Sequence, residues 1–388
     1  MRVPVAVLAC NAALLLGKEL NDYSYRNKEF SANTYREIAA KNPGNFVGCP
    51  MSTGLSLSMV HSGAKKQTAE QLAEGLSLPN SNTAIKTMIE AVMPQLKTFP
   101  NCYTLKTINR MYVSNEFEIN PHFKRTATDL YKSSVESIDF KQKKKAMTTM
   151  NSWIEEVTSK QIKEMVTTND LNNDSKAILL NSMSFQGTWL NSFDEKLTKK
   201  AKFYTNKDKS VQVDMMETTG TFEYHKCKYF KATFLKMPFV GKDLIMMIIL
   251  PYEKDGLEFV ENMMQEALEQ DQYDWKNVHV KIPKFQINTT IKCVPVMEKL
   301  EVVDVFKPKA DLTGITSGSP FYITDVIEKS AIEVNEKGTF AAAPSTAVVP
   351  PSTPPNSEEP EEYIVDHPFI FYIESPAGIL FIGRYAGK

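Results

Sequence analysis

The sequence has no long hydrophobic run and no excess charge of either sign. The apolar stretch near its start, Val3–Leu16, is shorter than the roughly 20 residues that a membrane-spanning helix needs. The 45 Lys and Arg residues nearly balance the 46 Asp and Glu residues, which gives a formal net charge of −1. Such a chain has no general attraction to nucleic acid or anionic lipid. We therefore predict no nucleic-acid partner and no membrane partner.

Cysteines are few and far apart. Five cysteines in 388 residues do not make the dense disulfide scaffold of a small secreted domain. Cys10 lies near the start of the chain, and the others are Cys49, Cys102, Cys227 and Cys293. No CxxC or Cys–His spacing indicates zinc. We predict no metal and no cofactor, and the spacing leaves any disulfide pairing open.

The common catalytic motifs are also missing. No nucleophile elbow, HExxH pair, phosphate-binding loop or dinucleotide fingerprint occurs in the sequence. The five histidines are scattered, and an isolated histidine in a strand is more often a structural residue than a catalyst. The chain is therefore predicted not to be an enzyme.

The first 17 residues have the pattern of a secretory signal. Arg2 precedes the apolar stretch Val3–Leu16, as in signal peptides. We predict a signal peptide at 1–17, a single domain at 18–388 and an extracellular location; the alternative is an ordinary buried N-terminal segment. If the protein is secreted, the sequons at Asn173 and Asn288 are candidate glycosylation sites.

Two stretches are rich in lysine, Lys141–Lys145 and Lys196–Lys209. A local run of this kind could bind a polyanion such as a glycosaminoglycan. Charge runs are more often solvated faces without a partner. We therefore favour the solvated reading over a glycosaminoglycan site.

The order of the predicted elements indicates an α+β domain. Helical spacing predicts helices over Phe30–Ala40, Ser52–Gly63, Thr68–Leu76, Asn82–Leu96 and Thr148–Val166. Apolar or alternating runs predict strands over Lys176–Phe185, Leu244–Leu250, Val278–Ile287, Phe321–Val334 and Ala377–Tyr385. Helices come early and strands late, without βα alternation, which favours one α+β domain.

One segment contrasts with its surroundings. Glu333–Tyr363 runs through small residues, valines, prolines and acids, so it cannot bury much apolar surface of its own. It nevertheless separates two segments that read as buried strands.

Several motifs in order resemble the serpin family of serine and cysteine protease inhibitors, which also has non-inhibitory members. The hinge VNEKGTFAAA and the C-terminal YIVDHPFIFYI and ILFIGR carry the resemblance, together with NFVGCPMS, NSMSFQGTW, IPKF and ADLTG. The resemblance covers nearly everything from about Phe30 onward. It implies a metastable fold of three β-sheets and about nine helices, with an exposed reactive loop at about 336–362. A protease cleaves such a loop and is trapped when the loop inserts into the main sheet.

The resemblance also implies roles for individual residues. The hinge comprises Glu336, Lys337, Gly338, Thr339, Phe340, Ala341, Ala342 and Ala343. Glu336 should pair with Lys284 at the top of the sheet, with Trp189 nearby, and Ser52 and Asn181 match the polar cluster where the sheet opens.

Four positions depart from the family pattern. Glu328 replaces a usual histidine and Cys49 a usual serine, which should alter how easily the sheet opens. Phe340 stands where a small or acidic residue is common. Pro344 lies in the would-be inserted strand, where it lacks an N–H for the ladder.

Counting from Glu336, the family spacing places the reactive bond at Ser352–Thr353. If Pro344 is an insertion, the bond becomes Thr353–Pro354, which most serine proteases would resist. A small residue at the bond favours an elastase-like protease, with a papain-like cysteine protease as second choice. Trypsin-like enzymes are disfavoured because the loop has no Lys or Arg after Lys337. We expect a monomeric inhibitor; the alternative is a non-inhibitory serpin with a storage or carrier role.

Overall fold

A computed structural model describes residues 5–100, 102–158, 162–241, 243–318, 320–339 and 359–387, and for residues 5–16 the backbone alone. Within these ranges, no helix has both the length and the apolar character needed to cross a bilayer. The backbone of residues 5–17 continues the first helix, and the signal peptide predicted there stays a prediction.

Nine α-helices occur in the described part of the chain. They are α1 (Val5–Lys41), α2 (Pro50–His61), α3 (Lys66–Gly75), α4 (Asn82–Val92), α5 (Pro121–Asp129), α6 (Lys143–Val157), α7 (Leu257–Asn262), α8 (Met264–Leu268) and α9 (Val294–Met297).

The helix predicted over Thr148–Val166 is displaced, because α6 begins five residues earlier and ends at Val157. The Asn151 side chain donates to the backbone oxygen of Val166 and accepts from its N–H. These two bonds hold Val166 against the side of α6 rather than within it.

Fifteen strands are described. They are β1 (Phe46–Gly48), β2 (Tyr103–Ser114), β3 (Ser134–Ile138), β4 (Ala177–Thr188), β5 (Lys199–Tyr204), β6 (Ser210–Cys227), β7 (Ala232–Pro238), β8 (Ile245–Pro251), β9 (Asp274–Pro283), β10 (Phe285–Lys292), β11 (Ile323–Val334), β12 (Gly338–Thr339), β13 (Glu361–Ile364), β14 (Phe369–Ser375) and β15 (Gly378–Tyr385).

Six of these strands form the main sheet, in the order β10-β11-β12-β4-β2-β3. Strand β4 is buried on both faces, as its continuous apolar run predicted. One face packs on the large core that contains α2, and the other lies under α6, where Met150 and Ile154 meet Ile178, Leu180 and Ile327. The main sheet is therefore covered on both sides.

The other nine strands form one hydrogen-bonded network, in the order β1-β15-β14-β8-β7-β6-β9-β13, with β5 also on β6. The 18-residue strand β6 pairs with β5 at its start, with β9 along its middle and with β7 at its end. The expected second and third sheets are thus present as two groups of strands that meet on β6.

The single strand predicted over Val278–Ile287 is two strands in different sheets. Strand β9 ends at Pro283 in the second network, and β10 begins at Phe285 in the main sheet. Proline cannot donate to a ladder, and the Lys284 N–H turns instead to the Asp214 carbonyl oxygen, 2.7 Å away. Lys284 therefore occupies the corner between the two sheets.

Candidate functional site

The corner residue Lys284 forms an ion pair with Glu336. Lys284 Nζ lies 2.9 Å from Glu336 Oε2, and the Thr198 hydroxyl donates to Glu336 Oε1, also at 2.9 Å. Burial opposes ionisation of Glu336, but these hydrogen bonds outweigh it and lower the pKa of the carboxyl. Glu336 is therefore held as a carboxylate at the end of β11.

Trp189 holds the turn that follows β11. Its indole Nε1 donates to the Asn335 carbonyl oxygen and its backbone N–H to that of Lys337, both at 2.9 Å. The ring is 2% exposed and stacks on Phe239 with centroids 4.4 Å apart. The Asn335 side chain accepts from the N–H groups of Lys337 and Gly338. The turn is thus held both by Trp189 and by the side chain of its own residue Asn335.

This turn sends the chain back into the sheet as β12. Gly338 and Thr339 pair with Thr188 and Gly187 of β4, and Thr339 also pairs with Val334 of β11. A Cβ at Gly338, where φ is +154°, would collide with the carbonyl oxygen of Gly187. The position therefore requires glycine, and it starts a strand between β11 and β4.

Within the described residues, β11 and β4 pair directly with each other over only part of their length. Direct pairing of β11 with β4 covers Ile323–Glu328 against Ala177–Asn181 and stops there. Residues 329–333 and 182–186 lie between that point and β12, a length of about 17 Å at the usual rise of a strand. We call this stretch the slot.

A row of three polar residues crosses the sheet where the slot ends. Asn109 of β2 pairs with Asn181 of β4, which pairs with Glu328 of β11. The Ser52 hydroxyl donates to Asn109 Oδ1 at 2.8 Å. Both side-chain atoms of Asn181 are buried without a hydrogen-bond partner in the described structure. The central member of the row is therefore left unsatisfied.

Glu328 is bound by the start of helix α2. Its carboxylate accepts from the Thr53 hydroxyl at 2.6 Å, the Cys49 N–H at 2.7 Å and the Ser330 hydroxyl at 2.8 Å. Burial raises the pKa of Glu328, although these three hydrogen bonds act in the opposite direction. The N-terminus of a helix favours a negative group. Glu328 thus links β11 to α2 where its neighbour Asn181 has no bond.

The remaining predicted loop residues lie outside the described residues. These are Phe340, Ala341, Ala342, Ala343, Pro344 and the proposed reactive-bond residues Ser352, Thr353 and Pro354. The described chain resumes at Glu359 and enters β13, which pairs in parallel with β9. The two ends of the reactive loop therefore attach to different sheets.

Several residues of the site were not anticipated from the sequence. Asn335 had a local signal, since asparagine three residues before glycine is typical of a turn. Thr198, Thr53 and Asn109 had none, because their partners are far away in the chain.

The secondary candidates lie at the surface. Lys141 pairs with Glu116 at 2.6 Å and Lys200 with Asp214 at 2.9 Å, so each lysine-rich stretch is partly neutralised. Asn173 and Asn288 are both exposed. Within the described residues, no group of three or more His, Cys, Asp or Glu side chains could hold a metal. Cys49, Cys102, Cys227 and Cys293 are free thiols.

The family description "Serpin (serine protease inhibitor)" matches residues 25–387. The leukocyte elastase inhibitor of Bos taurus is 30% identical over 378 residues, covering 94% of this chain and 99% of the relative. The match extends over nearly the whole chain, so the protein belongs to the serpin family.

Solved structures agree with the fold. Serpin48 of the insect Tenebrio molitor, described as a highly specific serpin, superposes with a TM-score of 0.87 at 32% identity, covering 94% of this chain and 98% of that one. Human thyroxine-binding globulin superposes with a TM-score of 0.86 at 23% identity, covering 95% and 99%. The second likeness concerns the fold alone.

Proposed function

We propose that this serpin inhibits proteases by inserting its cleaved reactive loop into the main sheet. The observation that carries the proposal is β12, which already lies between β4 and β11 at the top of the slot. A strand that continues β12 would extend an existing ladder rather than begin a new one. It would also supply hydrogen bonds to the facing edges of both strands along the slot.

If the inserted strand keeps the register of β12, each of its residues has an expected partner. Continued antiparallel pairing from Thr339 brings Ala341 opposite Phe185 and Ile332, and Ala343 opposite Met183 and Ser330. Those positions face the core beside α2, where small side chains fit. Ser345 would then arrive opposite Asn181 and Glu328, so its hydroxyl could bind the unsatisfied amide of Asn181.

Pro344 would weaken this ladder at one point. The Gly338 N–H donates to the carbonyl oxygen of Asn335, the residue that follows β11, so every second residue of the inserted strand would turn its N–H towards β11. Pro344 falls in that series, opposite Lys329, and has no N–H to donate. A missing hydrogen bond costs about 1 kcal/mol, which slows insertion without preventing it.

The reactive bond we propose is Ser352–Thr353, and the target is an elastase-like serine protease with a small specificity pocket. The loop sequence supports this choice, and the name of the bovine relative agrees with it. A papain-like cysteine protease is the second candidate. Phe340 and Pro344 favour the alternative of a non-inhibitory serpin. We further propose that the protein is a secreted monomer with glycans on Asn173 and Asn288, both of which are exposed.

The decisive test mixes the purified protein with pancreatic elastase, trypsin or papain and denatures each mixture in SDS. Trapping predicts a resistant band at the summed mass with elastase, and mass spectrometry of the released peptide identifies the bond. Thr339 is fully buried between two strands, so Thr339→Arg should stop insertion and turn the inhibitor into a substrate. Thr339→Ser is the matched control and should still trap.

The opposite result is equally clear. If every protease only clips the loop, and the clipped protein melts no higher than the intact one, the loop does not insert. The non-inhibitory alternative would then replace the proposal.

A further inference from the structure

The three tryptophans differ sharply in exposure. Trp189 is 2% exposed and Trp153 is half-buried, whereas Trp275 is 62% exposed on β9. Large aromatic side chains dominate the energetics of cores and interfaces. An exposed tryptophan is therefore the type of residue that a bound partner covers, and its position decides which partner.

Trp275 lies beside the point where the reactive loop returns to the protein. Strand β13 pairs with β9 in parallel from Glu361 opposite Val278. Trp275 precedes Val278 by three residues, about 10 Å along the strand. Because the two strands run parallel, Trp275 lies on the side of Glu361 from which the reactive loop enters β13.

The outer face of this sheet is unlike its inner face. Along β9, Val278, Val280 and Ile282 are buried, while Trp275, Asn277, His279 and Lys281 alternate with them on the outside. On β13, Glu362 and the 41% exposed Ile364 share the outer side, as partners of His279 and Lys281. Glu223 of β6 lies opposite Trp275. We call Trp275, Glu223, Glu362 and Ile364 the Trp275 face.

The charges of this face favour a basic partner. Glu362 lies 3.0 Å from His279 Nδ1, and Glu223 lies 3.0 Å from Lys236. Glu359, in the stem just before β13, is exposed and has no ion pair among the described residues. Lys281 pairs with Glu217 on the same face, so the carboxylates of this region outnumber its two lysines, Lys236 and Lys281. An indole ring next to a carboxylate can accept an arginine or lysine side chain by stacking and ion pairing.

The length of the loop determines what can reach this face. Glu361 follows Thr353 by eight positions, which is at most about 28 Å of extended chain. A protease domain of about 200 residues has a radius of gyration of roughly 16 Å. An enzyme that holds the proposed bond therefore has its body within reach of Trp275.

We propose that the Trp275 face is a docking surface for the body of the attacking protease, with Trp275 as its anchor against a basic side chain of that enzyme. The inference rests on the proposed function only in that a protease attacks the loop. It adds a contact outside the loop that raises the rate of attack and selects among enzymes with similar pockets.

The test measures the second-order rate constant for loss of intact protein with pancreatic elastase, trypsin and papain, and uses the fastest of the three. Trp275→Ala should lower this constant about tenfold, as truncation of a central interface tryptophan does. Tyr25 is 55% exposed on α1, which packs on α4 and β15; Tyr25→Ala should leave the constant unchanged. The thermal midpoint of both variants should match the parent, and raising the ionic strength should slow the parent.

The outcomes separate the two proposals. Equal rates for Trp275→Ala and the parent overturn the docking surface, whether or not an SDS-resistant complex forms. A slower variant in a protein that is only clipped supports the docking surface and contradicts trapping. A slower variant whose parent forms the complex supports both. A rate that does not respond to salt overturns the basic partner.

Discussion

The top and the middle of the main sheet treat their buried polar groups in opposite ways. At the top, Glu336 has a cation and a hydroxyl, and Trp189 holds the adjoining turn. In the middle, Glu328 has three neutral donors and no ion pair among the described residues, and the Asn181 side chain has no hydrogen bond to any of them. The same two strands, β4 and β11, run through both places.

The difference indicates which region is built to move. A buried polar group with all its hydrogen bonds favours a single arrangement of the chain. A buried polar group without a partner destabilises the arrangement that leaves it unpaired. Insertion as proposed would leave the top in place, extend the ladder from β12 and bring a hydroxyl to Asn181. The unsatisfied side chain of Asn181 would then favour the inserted state over the present one.

Removing the aromatic anchor should have the largest effect on stability. Trp189→Ala should lower the free energy of unfolding by about 3–5 kcal/mol, since it leaves a cavity and frees the turn. Thermal midpoints at one scan rate would measure it, with the exposed Trp275→Ala as control. A loss no greater than that of the control would contradict the role given to Trp189.

Breaking the ion pair should have a smaller effect. Lys284→Ala leaves the buried Glu336 without its cation and should cost about 1–2 kcal/mol, because the lysine itself is partly exposed. Lys337→Ala removes an exposed pair with Glu195 and should cost under about 0.5 kcal/mol. The folded pKa of Glu336 is lowered, so the pair's contribution is present at neutral pH and is lost as the pH falls through that pKa. The difference in free energy of unfolding between the parent and Lys284→Ala, measured by urea unfolding, should therefore be smaller at acid pH than at neutral pH.

Replacing the unsatisfied Asn181 by an apolar residue should stabilise the protein before insertion. Asn181→Leu replaces an unsatisfied amide by an apolar group of similar size and should raise the free energy of unfolding by about 1 kcal/mol. The variant should also trap protease less efficiently. Asn109→Leu, in the same row, removes the acceptor of Ser52 and should destabilise. If both variants destabilise equally, Asn181 is not the unsatisfied member of the row.

The smallest effect should be a change in how steeply the free energy of unfolding depends on pH. Burial raises the folded pKa of Glu328 above its ordinary value, so the folded state keeps a proton that the unfolded state has lost. Stability should then fall as the pH rises from the ordinary carboxyl value through the raised one, opposite to the trend from Glu336. Urea unfolding at several pH values should show that Glu328→Gln lacks this fall in stability. The same pH dependence in the variant and the parent would refute the role given to Glu328.

The sequence indicated the architecture and the top of the sheet better than the middle. Long apolar runs such as β4 are evident from composition, and the family resemblance supplied the partners Glu336 and Lys284. The break between β9 and β10 was missed because apolar and polar residues alternate both before and after Pro283, although the chain changes sheets there. The donors to Glu328 could not be found, since Cys49 and Thr53 are more than 270 residues away along the chain. Local patterns carry no record of such contacts.

The two ends of the loop also differ in how they are attached. Strand β12 lies inside a sheet with a neighbour on each side, whereas β13 is the outermost of the described strands in its network and, among them, pairs with β9 alone. Under tension, β13 can be peeled away one residue at a time, while β12 can leave only by sliding against two strands together. Amide hydrogen exchange should follow this asymmetry, with Glu361–Ile364 exchanging well before Phe369–Ser375 in the interior of the same network. The C-terminal stem is thus the end at which the loop would first come loose.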